Sequence, residues 1–166
     1  MNRLLVVACL LAVACNNPAA KKGADSTAVE NGSAAAAFVV PDSSLQQIAR
    51  QDTLFADSSR PTTWSTAGFN DAVAFKKFLA QFKDWVANDQ ADSVIAHVQF
   101  PLAHYKTAAD LKKSYAQVFD SSMKATVLHQ PLNEIFRNYQ GAMIGSGVLW
   151  WNEVAGGQYR IIAINK

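Results

Sequence analysis

The strongest pattern in the chain is a run of apolar residues at helical spacing between residues 71 and 87. At roughly 100° per residue, a stripe about 120° wide collects the apolar side chains. They are Phe75, Phe78, Leu79, Phe82, Trp85 and Val86. The polar side chains fall opposite: Lys76, Lys77, Gln81, Lys83 and Asp84. Because four aromatic rings share the stripe, we predict a helix, capped at Asn70 or Asp71, that lies along a large apolar surface such as a sheet.

Two further helices are predicted between residues 88 and 119. The first points three apolar side chains inward: Val94, Ile95 and Val98. Pro101 then favours an extended segment, and Thr107 starts the next helix with Asp110 at capping-box spacing. The inward residues of that helix are Leu111, Tyr115, Val118 and Phe119. A short helix or turn over residues 121–129 completes the helical part.

Apolar residues near the C-terminus predict three strands, at residues 135–139, 142–154 and 158–165. Gly156 and Gly157, between the last two strands, fit a two-residue hairpin turn. In that register Glu153 lies opposite Arg160, and the opposite charges support the pairing. One face of the hairpin then carries Val148, Trp150, Ile161 and Ala163. The other face carries Leu149, Trp151, Ile162 and Ile164.

The adjacent residues Trp150 and Trp151 point to opposite faces of a strand, so one belongs to the core and the other faces a pocket or a partner. Too few helices remain to cover both faces, and we predict that the Trp150 face is left open as a contact surface. The alternative arrangement buries Trp150 and leaves Trp151 outside. Gly145 and Gly147, on the Trp151 face, predict a bulge or bend in the same strand.

The N-terminus has the pattern of a secretory signal: Arg3 precedes an apolar run over residues 4–14. Eleven residues are too few to span a hydrocarbon core of about 30 Å as a helix. Ala12 and Ala14 form an A-x-A site for ordinary cleavage, and with Cys15 they resemble a bacterial lipobox. We predict that Cys15 is lipidated and becomes the mature N-terminus. Since Cys9 leaves with the signal, the folded part then has no disulfide or free thiol.

These features divide the chain into four parts. We predict a lipoprotein signal peptide at residues 1–14, a flexible tether at 15–37, an arm at 38–68 and a domain at 69–166 that folds without the tether. Within the arm, Asp42 or Ser43 caps a short helix, and whether the arm packs on the domain is left open. Lipidation predicts a membrane-anchored protein of the bacterial cell envelope. Asn16, in place of Asp after the cysteine, favours the outer membrane, with the domain facing the periplasm.

Charge and motifs exclude several functions. The chain has 15 Lys and Arg against 13 Asp and Glu, which gives no reason to expect a nucleic-acid partner. It contains no phosphate-binding glycine loop, no G-x-S-x-G and no clustered Cys and His. The histidines, His97, His104 and His129, are spread along the chain. We therefore expect no metal and no cofactor.

The order of elements resembles the cone-shaped α+β fold of the nuclear transport factor two-like superfamily, and within it a group of bacterial secreted proteins and lipoproteins. The resemblance covers roughly residues 69–165. It rests on Phe100-Pro101-Leu102, on Leu111 with Tyr115 and Phe119, on residues 140–147 followed by Trp150, and on residues 161–165. It implies three helices packed on a curved antiparallel sheet. Val148 stands where that group often has an acidic residue.

The resemblance does not choose a function, since the superfamily includes both enzymes and binding domains. Our main hypothesis is a non-enzymatic domain that binds a small apolar ligand or a protein segment in an aromatic cleft. The residues considered for the cleft or an interface are Trp150, Trp151, Tyr105, Tyr115 and His97. Partners under this hypothesis are the membrane, through the lipid, and a second copy or another envelope protein.

Two alternatives belong to other classes. An enzyme of the isomerase or dehydratase kind would use Asp92, His97 and Tyr105, with Asp92 and His97 as an acid–base pair at a pocket mouth. The simpler interpretation is that Asp92 caps a helix and His97 is a half-buried neighbour. A purely structural dimer is the other alternative. A polar, acid-bearing pocket favours the enzyme, a dry aromatic pocket favours binding, and a filled pocket with an apolar outer sheet favours the dimer.

Overall fold

Helices and a single antiparallel sheet make up the part of the chain that the computed structural model describes, residues 38–52, 54–55 and 58–166. The helices are α1 Asp42–Ala49, α2 Ala72–Ala87, α3 Ala91–Ala96, α4 Ala108–Lys113, α5 Tyr115–Val118 and α6 Ser121–His129. The strands are β1 Phe136–Asn138, β2 Gly141–Ile144, β3 Leu149–Val154 and β4 Gln158–Ile164, paired in that order. The α+β class is confirmed. The predicted signal, Cys15 and the tether lie outside the described residues.

The helix count of three is wrong, because the described residues contain six. Two of the additional helices are α1 and α6, for which the sequence indicated only short helical segments. The third arises because the helix predicted after Thr107 is interrupted at Ser114, whose backbone lies at φ −104° and ψ 6°. The capping box of α4 is confirmed, with Thr107 and Asp110 each accepting from the other's backbone N–H. None of the described helices is long and apolar enough to cross a bilayer.

Helix α2 follows the predicted stripe closely, with one exception. The Asp71 carboxylate accepts from the Ala74 N–H at 2.9 Å, which satisfies one of the free donors at the helix start. The fully buried residues of the stripe are Phe75, Leu79, Phe82 and Val86, and the half-buried ones are Phe78 and Trp85. Lys76 was predicted to lie on the polar side, but only 3% of it is exposed. Its charge is paired inside the fold, so helical periodicity alone assigned it to the wrong face.

The glycine-rich segment is a chain reversal, and the single strand predicted over residues 142–154 is wrong. Strands β2 and β3 lie on either side of Gly145–Gly147 and pair with each other. Gly145, Ser146 and Gly147 have φ of 60°, 57° and 94°, all in the left-handed region that glycine enters at low cost. A Cβ at Gly145 would also collide with Thr126 of α6. The glycines therefore permit a tight turn that a helix approaches closely.

The register of the last hairpin is only partly as predicted. Leu149 pairs with Ile164 and Trp150 with Ala163, as expected, but an irregularity between Trp150 and Trp151 shifts the remaining pairs by one residue. Glu153 consequently lies opposite Tyr159 and not Arg160. The Glu153 carboxylate accepts from the backbone and side-chain N–H groups of Asn70, at 2.8 and 2.7 Å. The hairpin turn has three residues, and the shift places Ile161 beside Trp151.

The arm packs on the domain. Ile48 of α1 and Ala67 are 5% and 4% exposed and belong to the same core as α2, and Trp64 packs against that core. The Gln47 side chain accepts from the Leu132 N–H at 2.8 Å, and Asp52 pairs with two buried cations. Removing residues before 69 would take all of these contacts away. Because the arm supplies part of the core, we now expect a fragment of residues 69–166 to be less stable than a chain that keeps the arm.

Candidate functional site

The space between α2 and the sheet is filled by aromatic rings. Trp151 is fully buried and lies edge-on to Phe82 and Phe75, at ring-centroid distances of 5.4 and 6.4 Å. Phe75 also contacts Phe69 and Tyr159, at 4.5 and 5.1 Å. Offset and edge-on contacts at these distances are the favourable arrangements for buried rings. The inner face of the sheet is therefore packed core.

Trp150 faces the other way, as the sequence predicted for one of the two tryptophans. The ladder aligns four residues across the sheet on its outer face, and we call them the outer row: Phe136, Met143, Trp150 and Ala163. The next row, on the inner face, is buried throughout: Arg137, Ala142, Trp151 and Ile161. Ile161 was predicted on the Trp150 face, and this is wrong because the register shift turns it inward. Val148 is half-buried against the core.

The outer row is apolar and partly open to solvent. Phe136 is 39% exposed, and Met143, Trp150 and Ala163 are half-buried. Phe55 stacks on Phe136 at a ring-centroid distance of 6.0 Å. A groove of about 300 Å³ runs beside the row, between these two rings, Met143 and the turn at Gly145–Gly147, and Gln130 and Glu134 add polar side chains to its lining. This face therefore presents a continuous apolar strip across all four strands.

Both edges of the sheet have neighbouring segments. Residues 97–99 run alongside β4, where the Ile161 N–H donates to the His97 carbonyl at 2.7 Å and the Gln99 N–H donates to the Ile161 carbonyl at 2.9 Å. At the β1 edge, Thr62 exchanges two hydrogen bonds with Arg137. Backbone groups are thus engaged at each edge, namely the N–H and carbonyl of Ile161 in β4 and the Arg137 carbonyl in β1.

Within the part of the chain that the structure describes, no hydrogen bond, ion pair or ring contact joins Asp92, His97 and Tyr105, the residues of the enzyme hypothesis. The Asp92 carboxylate is exposed and pairs with Lys112 at 2.6 Å. His97 Nδ1 donates to the Ser93 carbonyl at 2.9 Å, and its ring stacks on Trp85 at 4.7 Å. Tyr105 is half-buried against the core. His97 therefore has its nearest described partners among aromatic rings and backbone.

Tyr115 is a core residue. It is 7% exposed and stacks on Phe119 with 4.8 Å between ring centroids. Burial, with a smaller contribution from the Asp89 charge, raises the pKa of Tyr115 to about 12. Its hydroxyl has no hydrogen-bond partner among the described residues. A neutral, buried phenol of this kind supports packing, and it lies apart from the outer row.

A buried charge cluster joins the arm to α2 and β1. The Asp52 side chain is 0% exposed, and its two oxygens pair with Lys76 Nζ at 2.7 Å and Arg137 Nη1 at 2.9 Å. The guanidinium carbon of Arg137 also lies 4.2 Å from the centre of the Trp64 ring. Burial lowers the pKa of Arg137 from its usual value, while the neighbouring Asp52 charge acts against that shift.

Sequence reasoning missed Phe136 and Met143 in the outer row, and Asp52 and Arg137 in the buried cluster. The row depends on the turn at Gly145–Gly147, which brings β2 beside β3, so its members share no local pattern. The cluster joins residues 85 positions apart in the chain. The only sequence feature that pointed to the cluster was Arg137, a charged residue inside a predicted strand.

The described residues thus form an α+β domain with a filled aromatic interior and an apolar outer sheet face. They include no group of three or more His, Cys, Asp or Glu side chains placed to hold a metal ion. No protein-family model, no curated protein and no solved structure matches the chain.

Proposed function

We propose that the chain is a non-enzymatic envelope lipoprotein, tethered through Cys15, whose outer sheet face binds a second copy of the same domain. The observation that carries this proposal is the outer row, an apolar strip centred on Met143 and Trp150. Apolar surface that continues across a whole sheet face marks contact sites on soluble domains. A tryptophan near the centre of such a surface is the kind of side chain that dominates binding energy.

A second copy suits this face because a two-fold contact needs only one self-complementary patch. The outer row supplies an apolar strip, and Phe136 at its end is the more exposed of its two rings. The strip carries no ionised side chain in its four positions, so stacking two copies would not bury an unpaired charge from the row. These features favour an isologous contact between two sheets.

The filled interior favours this contact over the other hypotheses. A small apolar ligand between α2 and the sheet would have to displace the rings of Phe75 and Phe82, which both contact Trp151. An isomerase or dehydratase would need Asp92 near His97, whereas Asp92 is engaged with Lys112 at the surface. Association through the outer face needs no displacement of the core rings and no change in the Asp92–Lys112 ion pair.

The finer fold assignment is part of the same proposal. We assign the domain to the cone-shaped class that the sequence resembles, placed in the outer membrane and facing the periplasm. The succession of α2, α3, the extended segment near Pro101, α4 with α5, and the antiparallel meander supports this class. The bridge between Val98 and Ile161 ties the helical half to β4.

Trp150→Glu tests the contact surface. We expect the full-length wild-type protein to sediment as a dimer, and the variant to dissociate at least about thirtyfold more readily, because a charge replaces the central anchor. Sedimentation equilibrium over a concentration series measures the dissociation constant. Tyr139→Glu is the matched control, since Tyr139 is 82% exposed and lies outside the row. A monomeric wild type, or a Trp150→Glu variant that is unfolded by circular dichroism, would contradict the proposal.

The tether is tested separately at Cys15. We expect the mature protein, extracted from bacterial membranes, to begin at Cys15 and to carry acyl chains, because several chains are needed for stable anchoring. Intact mass spectrometry reads this directly, and Cys15→Ser should release the protein from the membrane fraction. A mature chain without added acyl mass refutes the anchor but leaves the sheet-face contact standing.

A further inference from the structure

A second hollow lies away from the outer row, between α1, the segment that follows it, α2 and β1. Its volume is about 460 Å³, which is within the usual range for small-ligand pockets. Half of its lining residues are apolar: Ile48, Ala49, Trp64, Ala72 and Val73; Arg50 and Gln51 are among the polar ones. Asp52, Lys76 and Arg137 also line it. We call this hollow the basic pocket.

The charges of the basic pocket do not balance. Asp52 is the only carboxylate among the described residues that pairs with Lys76 or Arg137. The two cations are 3% and 5% exposed and share this one carboxylate, so the described cluster has a net charge of one positive unit. A net charge away from water is costly, and an anion that enters the pocket would balance it.

The two cations also keep donors that make no hydrogen bond within the part of the chain that the structure describes. Lys76 Nζ donates to the Arg50 carbonyl at 3.0 Å and to Asp52 at 2.7 Å, which leaves one of its three N–H groups. Arg137 donates through Nε to the Thr62 carbonyl and through Nη1 to Asp52 and the Ile135 carbonyl. Its third nitrogen, Nη2, makes no hydrogen bond among the described residues. Lysine and arginine together therefore offer a ready set of donors for one carboxylate.

We propose that the basic pocket binds a small amphiphilic monoanion, a carboxylate attached to a short apolar body. The carboxylate would take the free donors of Lys76 and Arg137, and the apolar body would lie along Trp64 and the exposed wall at Val73. This site is distinct from the outer row, so it stands or falls independently of dimer formation.

Hexanoate is the probe for this site, with three matched compounds that each lack one property. Hexanol keeps the body without the charge, hexylamine reverses the charge, and acetate keeps the head without the body. We expect hexanoate to bind the full chain at least about tenfold more tightly than any of the three, since charge-assisted hydrogen bonds and apolar burial both contribute. Titration by heteronuclear NMR should shift the Trp64 indole and Arg137 side-chain N–H signals.

Substitutions at Val73 test the charge without disturbing the buried cluster. Val73 is 46% exposed at the pocket wall, so a polar side chain there is tolerated by the fold. Relative to Val73→Gln, Val73→Glu should weaken hexanoate binding about fivefold, and Val73→Lys should strengthen it by a similar factor, by simple charge interaction. Hexanol has no charge, so its dissociation constant should be the same for all three Val73 variants.

Three results would overturn the proposal. The first is that hexanoate does not perturb the Trp64 and Arg137 signals. The second is that hexanol binds as tightly as hexanoate, which would make the pocket merely apolar. Equal binding of acetate would mean a general anion effect without a role for the apolar wall. Each result is read on the folded wild-type chain, so none depends on a variant that fails to fold.

Discussion

Asp52→Ala should lower the free energy of unfolding by about 3–5 kcal/mol, the usual cost of removing one partner from a buried ion pair. The reason is that Lys76 and Arg137 would both keep their charges inside the fold without the carboxylate that joins them. The loss would also remove one of the contacts that join the arm to α2 and β1. Urea denaturation of the full chain, followed by tryptophan fluorescence, measures the change.

Two controls make the result specific. Asp92→Ala removes an ion pair whose carboxylate is 80% exposed, and we expect no measurable change in the denaturation midpoint. Adding Lys76→Met to Asp52→Ala should recover part of the lost stability, because one of the two unpaired charges is then gone. If Asp52→Ala and Asp92→Ala behave alike, the cluster does not hold the arm in place.

The adjacent tryptophans should differ sharply when each is replaced by alanine. Trp151→Ala should cost about 3–5 kcal/mol, because the ring is fully buried and contacts Phe75 and Phe82. Trp150→Ala should cost only about 1 kcal/mol in a dilute, monomeric sample, because its ring is half-buried on the outer face. Chemical denaturation of the two variants side by side checks the contrast.

The test is decided by which of the two variants loses more free energy of unfolding. Equal losses for the two variants would mean that something covers the outer face as well as α2 covers the inner one. A larger loss for Trp150→Ala would reverse the two faces and would also remove the basis for the dimer. The comparison is internally matched, since both substitutions delete the same side chain from neighbouring positions of β3.

Local patterns predicted the elements well where neighbouring residues supply the stabilising contacts. The cap at Asp71 and the capping box at Thr107 satisfy N–H groups within the same turn, so a short window of sequence contains both partners. The inward stripe of α2 is likewise readable from spacing alone. The same logic predicted that only one of Trp150 and Trp151 lies in the core.

The chain reversal at Gly145–Gly147 shows where local patterns are insufficient. Glycine is compatible with a bend, a bulge or a full turn, and the residues on either side are apolar in each case. What selects the turn is the pairing of β2 with β3 and the close approach of Thr126, neither of which is visible nearby in the sequence. The outer row exists only because of that choice.

The sequence by itself determined the α+β class, the start of α2, the capping box of α4 and the opposite orientation of the two tryptophans, because short-range spacing and hydrogen bonding govern each of them. Only the tertiary structure decided the burial of Lys76, the inward position of Ile161 and the alignment of Phe136 with Trp150. Lys76 can be buried because Asp52 and Arg137 meet it from distant parts of the chain. Ile161 turns inward because a one-residue irregularity in a strand pair reverses the side chains beyond it.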